Sequence, residues 1–474
     1  MQDFCKMRMT WKKLLCDERI SGKVSKKEPS DLRSEFERDY DRTIFSTPVR
    51  RLQDKAQVFV LETHDAVRTR LTHSLEVSTV ARDLTHAAAK RILQNYPEDI
   101  DADDASHIEV IAATCGLIHD LGNPPFGHAG ERAISSWFEA RNGKLGLFDF
   151  KNYKGSVRKT QLEKDFLLFE GNAQTIRLLS KLQLLINMYG LNLTFGTLSA
   201  ACKYTATSDQ SDPESKIHEI TKPGVFASEN KLIEQAREKT GTAQFRNPIT
   251  FLVEAADDIV YSTVDIEDAV KKGIIDWDFV MEQLRKNVDS GVYRAVKKRM
   301  DRYLKGATVE LEGKNLAEAS SQTFRIYAIS ILVPSVVNAF KDKYDKIMNG
   351  EYHGELVKDC SAKTLVKACK TIGRENIYCS SETTRLEVMG REIIYDLMDL
   401  FWEGVSLVEE HEKRKDFSKK IYSLMSENYK IVFKEALKEG ELPVQYCRMQ
   451  LVTDFICGMT DSFARTLHRQ LKNG

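Results

Sequence analysis

Cys115-Gly-Leu-Ile-His119-Asp120-Leu-Gly122-Asn-Pro124-Pro125-Phe-Gly-His128-Ala-Gly130-Glu131 packs a helix, a break and a second helix into one short stretch. Ile108, Ala112, Cys115 and Ile118 recur at helical spacing, so an apolar helix arrives at His119-Asp120. Gly122 and the two prolines stop it, because proline cannot continue a helical hydrogen-bond ladder. Gly130-Glu-Arg-Ala-Ile-Ser-Ser-Trp-Phe resumes as a helix and sets His128 at or just before its first turn, where a helix N-terminus favours anions such as phosphate. Adjacent imidazole and carboxylate suit a divalent ion of intermediate hardness, and the His128 and Glu131 that follow offer acid–base chemistry beside it. The pattern points to a metal-dependent hydrolase.

A lone His-Asp dipeptide is common and carries little. This one has distant partners: Arg68-Thr-Arg70-Leu-Thr-His73-Ser-Leu-Glu-Val upstream and Glu254-Ala-Ala-Asp257-Asp258-Ile-Val-Tyr261 downstream. The ordered series His73, His119-Asp120, Asp257 resembles the ligand order of the HD hydrolase superfamily. Within it the chain resembles the deoxyguanosinetriphosphate triphosphohydrolases (dGTPases) and their broader dNTPase relatives, from Pro48 to Asp268 and again from Gln445 to Ala464.

That resemblance implies one divalent ion per site held by His73, His119, Asp120 and Asp257, with Mn or Mg first and Fe, Co, Zn or Ni within range. Facing helices that project ligands inward build such sites, and two imidazoles with two carboxylates leave positions open. Asp257 is read as the ligand in preference to Asp258; the bland reading of either is a capping or salt-bridging carboxylate. By resemblance His128 is the catalytic histidine and Glu131 orients it, and histidine can serve as base or as acid. The implied reaction converts dGTP and water to deoxyguanosine and inorganic triphosphate. No GxxxxGK[ST] segment exists, so side chains and metal must hold the phosphates.

Arg70 and Lys203, with neighbouring Tyr204, are the candidate phosphate partners, although most such cations are solvated surface charges. Tyr261 lies one helical turn after Asp257 and so shares its face; in relatives such a tyrosine lies against the deoxyribose. Gln57 matches the position that contacts the sugar 3′-oxygen. Asn172 and Gln174 read equally as pocket residues or as polar residues of a helix N-terminus. Arg448, in the returning C-terminal segment, is assigned to base recognition in its own or a neighbouring subunit's site. Asn123 and Phe169-Glu-Gly-Asn-Ala-Gln favour the dGTP-preferring branch over broad dNTPases.

Lys+Arg and Asp+Glu are equal at 70 each in 474 residues, so no global basic field attracts nucleic acid and any anion site is local. The nine cysteines form no CxxC pair; with no targeting pattern or long apolar run, the chain reads as reduced, cytoplasmic and without a membrane span. The expected fold is all-α: an N-terminal segment over 1–44, an HD catalytic domain over 45–275, and a helical C-terminal region over 276–474 that completes the site and the oligomer contacts. Insertions fall at about 142–165, read as a loop or hairpin, and 206–245, opening with a polar surface excursion. The resemblance further implies a hexamer or tetramer and single-stranded DNA as a modulator. Two other readings share these ligands: an HD phosphodiesterase or nucleotidase acting on a different ester, and a non-catalytic nucleotide- or DNA-binding regulator, for which a missing ligand would be the mark.

Overall fold

A computed structural model describes residues 8–22, 30–59, 67–183, 187–306, 311–406 and 416–472. Cys5, residues 307–310 of the polar stretch Gly306–Asn315 and the end of Thr384–Glu409, a stretch whose apolar spacing is helical, lie outside them. The fold is all-α, and the sole sheet among the described residues is a parallel pairing of Ala206–Thr207 with Pro223–Val225.

Three helices make the frame of the site. Arg70–Asn95 begins where the Thr69 hydroxyl accepts the Thr72 N–H and the Thr72 hydroxyl accepts the Thr69 N–H, so two orphan donors are satisfied at once. Its inner face runs through His73, Val77, Ala81 and Leu84, whereas Leu75 is 40% exposed. Ala102–Ile118, capped by Asp101, packs along it. Pro248–Lys271 packs against both, starting at an Asn247 cap with proline at its first position. It is buried on nearly every side, through Ile249, Leu252, Ala256, Ile259 and Val264, and so runs through the middle of the core.

A long helix, Gly313–Met348, covers this frame and presents Phe324, Ala328, Leu332, Val336 and Phe340 as one buried stripe four residues apart. It is long and apolar enough to cross a membrane by length and composition, but half of its most apolar window is buried inside the protein. Each such large apolar side chain contributes about 1.5–3 kcal/mol by burial.

A second hydrophobic cluster joins residues far apart in sequence. Trp137 and Phe138 of the Gly127–Leu145 helix pack with Ile394 and Phe401 of Ser381–Val405, and with Tyr446 and Val452 of Val444–Cys457. Asp399 accepts a 2.8 Å hydrogen bond from the Trp137 indole.

Residues 142–165 form no hairpin: the Gly127–Leu145 helix runs on to a left-handed Gly146 cap, turns follow, and Lys159–Leu167 is helical. The polar excursion after residue 207 runs on the surface, with Gln210, Asp212, Pro213, Glu214, Lys216 and Ile217 exposed, and only its end, from His218 to Lys222, turns inward. The Thr205 N–H donates to Glu219 O and the Asp212 N–H to Ile220 O, each at 2.8 Å, and the short parallel pairing returns the chain to Tyr204. Satisfied backbone groups let a polar sequence fold inward. The remainder of this insertion carries the Asn230–Thr240 helix.

Candidate active site and metal centre

The Arg70–Asn95 helix delivers His73 in its first turn, Ala102–Ile118 delivers His119 at its C-terminal cap, and Pro248–Lys271 delivers Asp257 from its middle. One ligand atom from each lies within 4.8 Å of the others. His73 Nε2 is 3.2 Å and His119 Nε2 3.6 Å from Asp257 Oδ1. His119 Nδ1 is 2.8 Å from Gly116 O; that bond needs the proton on Nδ1 and leaves the Nε2 lone pair aimed at a carboxylate oxygen. A histidine lone pair facing a carboxylate oxygen is an arrangement that a cation resolves, and with His73 beside them the three groups fit a divalent ion. Burial would raise the Asp257 carboxyl, but His119, His73 and Lys203 outweigh it and bring the pKa down to about 2.

Asp120 stands beside the three, its Oδ2 3.6 Å from His119 Nε2. Its oxygens are engaged by an ion pair with Arg70 and by the Asn123 amide at 2.6 Å. Burial opposes its ionisation, yet Arg70 and His119 hold it far below the usual carboxylate range. Of the Asp257-Asp258 pair, Asp257 faces the histidines, whereas Asp258 Oδ1 takes a 2.7 Å ion pair from Lys370.

His128 occupies the first turn of the Gly127–Leu145 helix, with its side chain 72% exposed and Nδ1 2.6 Å from Glu131 Oε2. Glu131 Oε1 in turn accepts the Gly171 N–H at 2.8 Å. The hydrogen bond to Glu131 raises the His128 pKa, more than burial lowers it. Glycine is required at 171: a Cβ there would strike Asn123 Oδ1 and come within 2.7 Å of Glu131 Oε1. Phe126, which caps this helix, has φ +64°, a left-handed conformation that costs a non-glycine residue on the order of 1–3 kcal/mol.

His119, Asp120, Asp257 and His128 open into one cleft of about 620 Å³, with His73 and Glu131 behind them, and Gln57, Arg70, Asn172, Lys203 and Tyr261 also line it. Gln174 does not line it; its amide donates to Asp454 at 2.9 Å. Arg448 lies outside the cleft-lining residues of this chain, its Nη1 3.4 Å from Gln445 Oε1. Gln57 Oε1 is buried without a hydrogen-bond partner. Burial lowers the Lys203 pKa, but Glu254 at 3.7 Å, together with Tyr204, Asp257 and Asp258, outweighs it and leaves the lysine raised. Burial, then Asp258, pushes the Tyr261 phenol up to about 12, so the ring is neutral near neutral pH.

Sequence reasoning missed several cleft residues. Lys222 pairs with Glu170 at 2.9 Å, and it and Lys203 each sit 5.9 Å from the Tyr204 ring centre. His218, at the end of the surface excursion, reaches Glu254 at 2.8 Å. Tyr378 donates to Asp265 at 2.5 Å, and both line the cleft beside Tyr261. Asp265 carried a signal, being one turn after Tyr261 on the same helix face. Lys222 and Tyr378 carried none.

Two histidines and an aspartate gathered from three helices, beside a histidine–glutamate pair in one cleft, define a phosphohydrolase of the HD class. A family model described as "Phosphohydrolase-associated domain" matches residues 359–470. A "Deoxyguanosinetriphosphate triphosphohydrolase-like protein" of Listeria monocytogenes is 38% identical, over 98% of this chain and 99% of its own. The "Deoxyguanosinetriphosphate triphosphohydrolase" of Salmonella arizonae is 32% identical over 92% and 93%, and that of Serratia proteamaculans 30% over 95% and 96%. This chain belongs to the deoxyguanosinetriphosphate triphosphohydrolase family.

Proposed function

We propose that this protein hydrolyses dGTP at the α-phosphorus, releasing deoxyguanosine and intact inorganic triphosphate. The observation that carries this reading is the shared cleft: His119 and Asp257 of the metal-binding cluster and His128 of the His128–Glu131 pair open onto the same space. His73, His119 and Asp257, with Asp120 adjoining, would hold a divalent ion, which when bound polarises phosphate oxygens and acidifies water. Arg70, Lys203 and Lys222 supply positive charge for the triphosphate. Gln57 Oε1, buried and without a donor, suits a sugar hydroxyl, and Tyr261 offers a flat neutral wall to the deoxyribose.

In the reaction the water oxygen bonds to the α-phosphorus and the bond to O5′ breaks. His128, its protonated form favoured by Glu131, gives a proton to O5′ as deoxyguanosine leaves. The proton lost by the water passes to triphosphate or solvent. Within this chain Arg448 does not reach the cleft, so its assignment to base recognition becomes a proposal about a neighbouring subunit's site. A broader dNTP triphosphohydrolase is the second reading, supported by how few groups beyond the sugar wall are committed to a base.

The test is incubation of purified protein with each dNTP and Mn²⁺ or Mg²⁺, followed by separation of the products. Nucleoside with triphosphate, fastest from dGTP, is the expected outcome. Monophosphate with pyrophosphate would exclude the reaction, and equal rates on all four dNTPs would establish the broader enzyme.

A further inference from the structure

The loops that carry Gln57 and His128 are far apart in sequence, yet one side chain bonds both. Asp461, the first residue of the Asp461–Lys472 helix, is 2% exposed. Its Oδ2 accepts the N–H of Ala56, the neighbour of Gln57, at 2.9 Å. Its Oδ1 accepts the N–H of Phe126, two residues before His128, also at 2.9 Å. Phe126 is the residue held in the left-handed conformation, so this bond fastens the most strained point of the His128 loop. Lys55, 4% exposed, closes the same junction: its ammonium donates to Asn123 O at 2.6 Å and to Cys457 O at 2.8 Å. Asn123 in turn bonds Asp120 at 2.6 Å. A carboxylate and an ammonium from opposite ends of the chain thus tie the C-terminal helices to both loops.

We propose that Asp461 and Lys55 form a clamp that positions the two sides of the cleft relative to each other, with Asp461 a positioning residue acting through Phe126 on His128 and through Ala56 on Gln57. Neither Asp461 nor Lys55 lines the cleft, so neither touches substrate. A backbone N–H needs an acceptor when buried, and one carboxylate serving two loops makes their positions interdependent. Loosening the C-terminal helix loosens both loops at once, which gives the region matched at residues 359–470 a direct hold on the chemistry.

Asp461→Asn keeps the shape but turns an amide N–H₂ toward one of the two donors. Hydrogen exchange across peptides spanning 52–59 and 121–130 should accelerate by about tenfold, with the Arg70–Asn95 helix unchanged. This arm needs no substrate. Unchanged exchange in both peptides would overturn the clamp. If Asp461→Asn does not fold, Lys55→Met is read the same way, with faster exchange expected at 121–130. The catalytic part rests on the proposed reaction: kcat on dGTP should fall about tenfold in Asp461→Asn, but less than twofold when His128→Ala is already present. The same factor in both backgrounds would mean that Asp461 is structural only. Failure of the wild-type protein to release triphosphate would instead sink the proposed reaction, while exchange still decides the clamp.

Discussion

The metal site and the wall assigned to the sugar are built on different plans. At the metal site, His73, His119 and Asp257 project from three mutually packed helices, and His73 is wholly buried. In the wall Gln57 comes from a bend, Tyr261 and Asp265 from the helix that also bears Asp257, and Tyr378 from beyond the Lys363–Ile372 helix, whose Lys370 stands 5.2 Å from the Tyr261 ring centre. Three ligands sharing one ion make an all-or-none device. A wall of separate contacts makes a graded one, which in the proposed reaction should set preference rather than whether reaction occurs.

The largest effect should therefore come from the metal site. His119→Ala should lose bound divalent ion and all measurable turnover while keeping helical content by circular dichroism; full turnover in a metal-replete His119→Ala protein would break the contrast. Next is the proton-handling pair. His128→Ala should retain metal and bind dGTP, yet turn over roughly 10²–10⁴-fold more slowly; parallel loss of metal would move His128 into the ligand set.

The pH profile sharpens this further. A raised His128 pKa means the protonated ring persists to higher pH, so activity that needs it is full at low pH and falls as pH rises through that value. Glu131→Gln removes the main cause, and the alkaline limb of kcat should move to lower pH. A limb that stays in place would show that another group sets it.

Effects at the sugar wall should be smaller. Tyr261→Ala should narrow the dGTP/GTP preference in kcat/KM by roughly tenfold, the scale of leaving a hydroxyl without a partner. Lys370→Met, which removes the cation beside Asp258 and Tyr261, should narrow it in the same direction by less, about threefold. A ratio unchanged in Tyr261→Ala would place sugar selection on Gln57.

Legibility in the sequence follows the same divide. Histidine and aspartate at His119-Asp120, a proline break and a second histidine lie within a few residues, so local chemistry announced the metal site. Helical periodicity likewise announced the all-α fold. Lys222 and His218 were hidden because a polar run reads as surface, and only the backbone pairing of 206–207 with 223–225 turns its end inward. Tyr378 and Lys370 are ordinary residue types whose meaning comes from packing across more than a hundred positions. Leu75 shows the converse: an apolar residue at helical spacing that the fold leaves exposed.

The second hydrophobic cluster bears on how the chain is made. Trp137 and Phe138 are completed by Phe401, Tyr446 and Val452, which a ribosome adds some three hundred residues later. At roughly 5–20 residues per second, the helix bearing His128 waits tens of seconds with its apolar face open. Nascent chains stalled before residue 381 should therefore bind holdase chaperones strongly, and release should coincide with emergence of the last two helices, Val444–Cys457 and Asp461–Lys472.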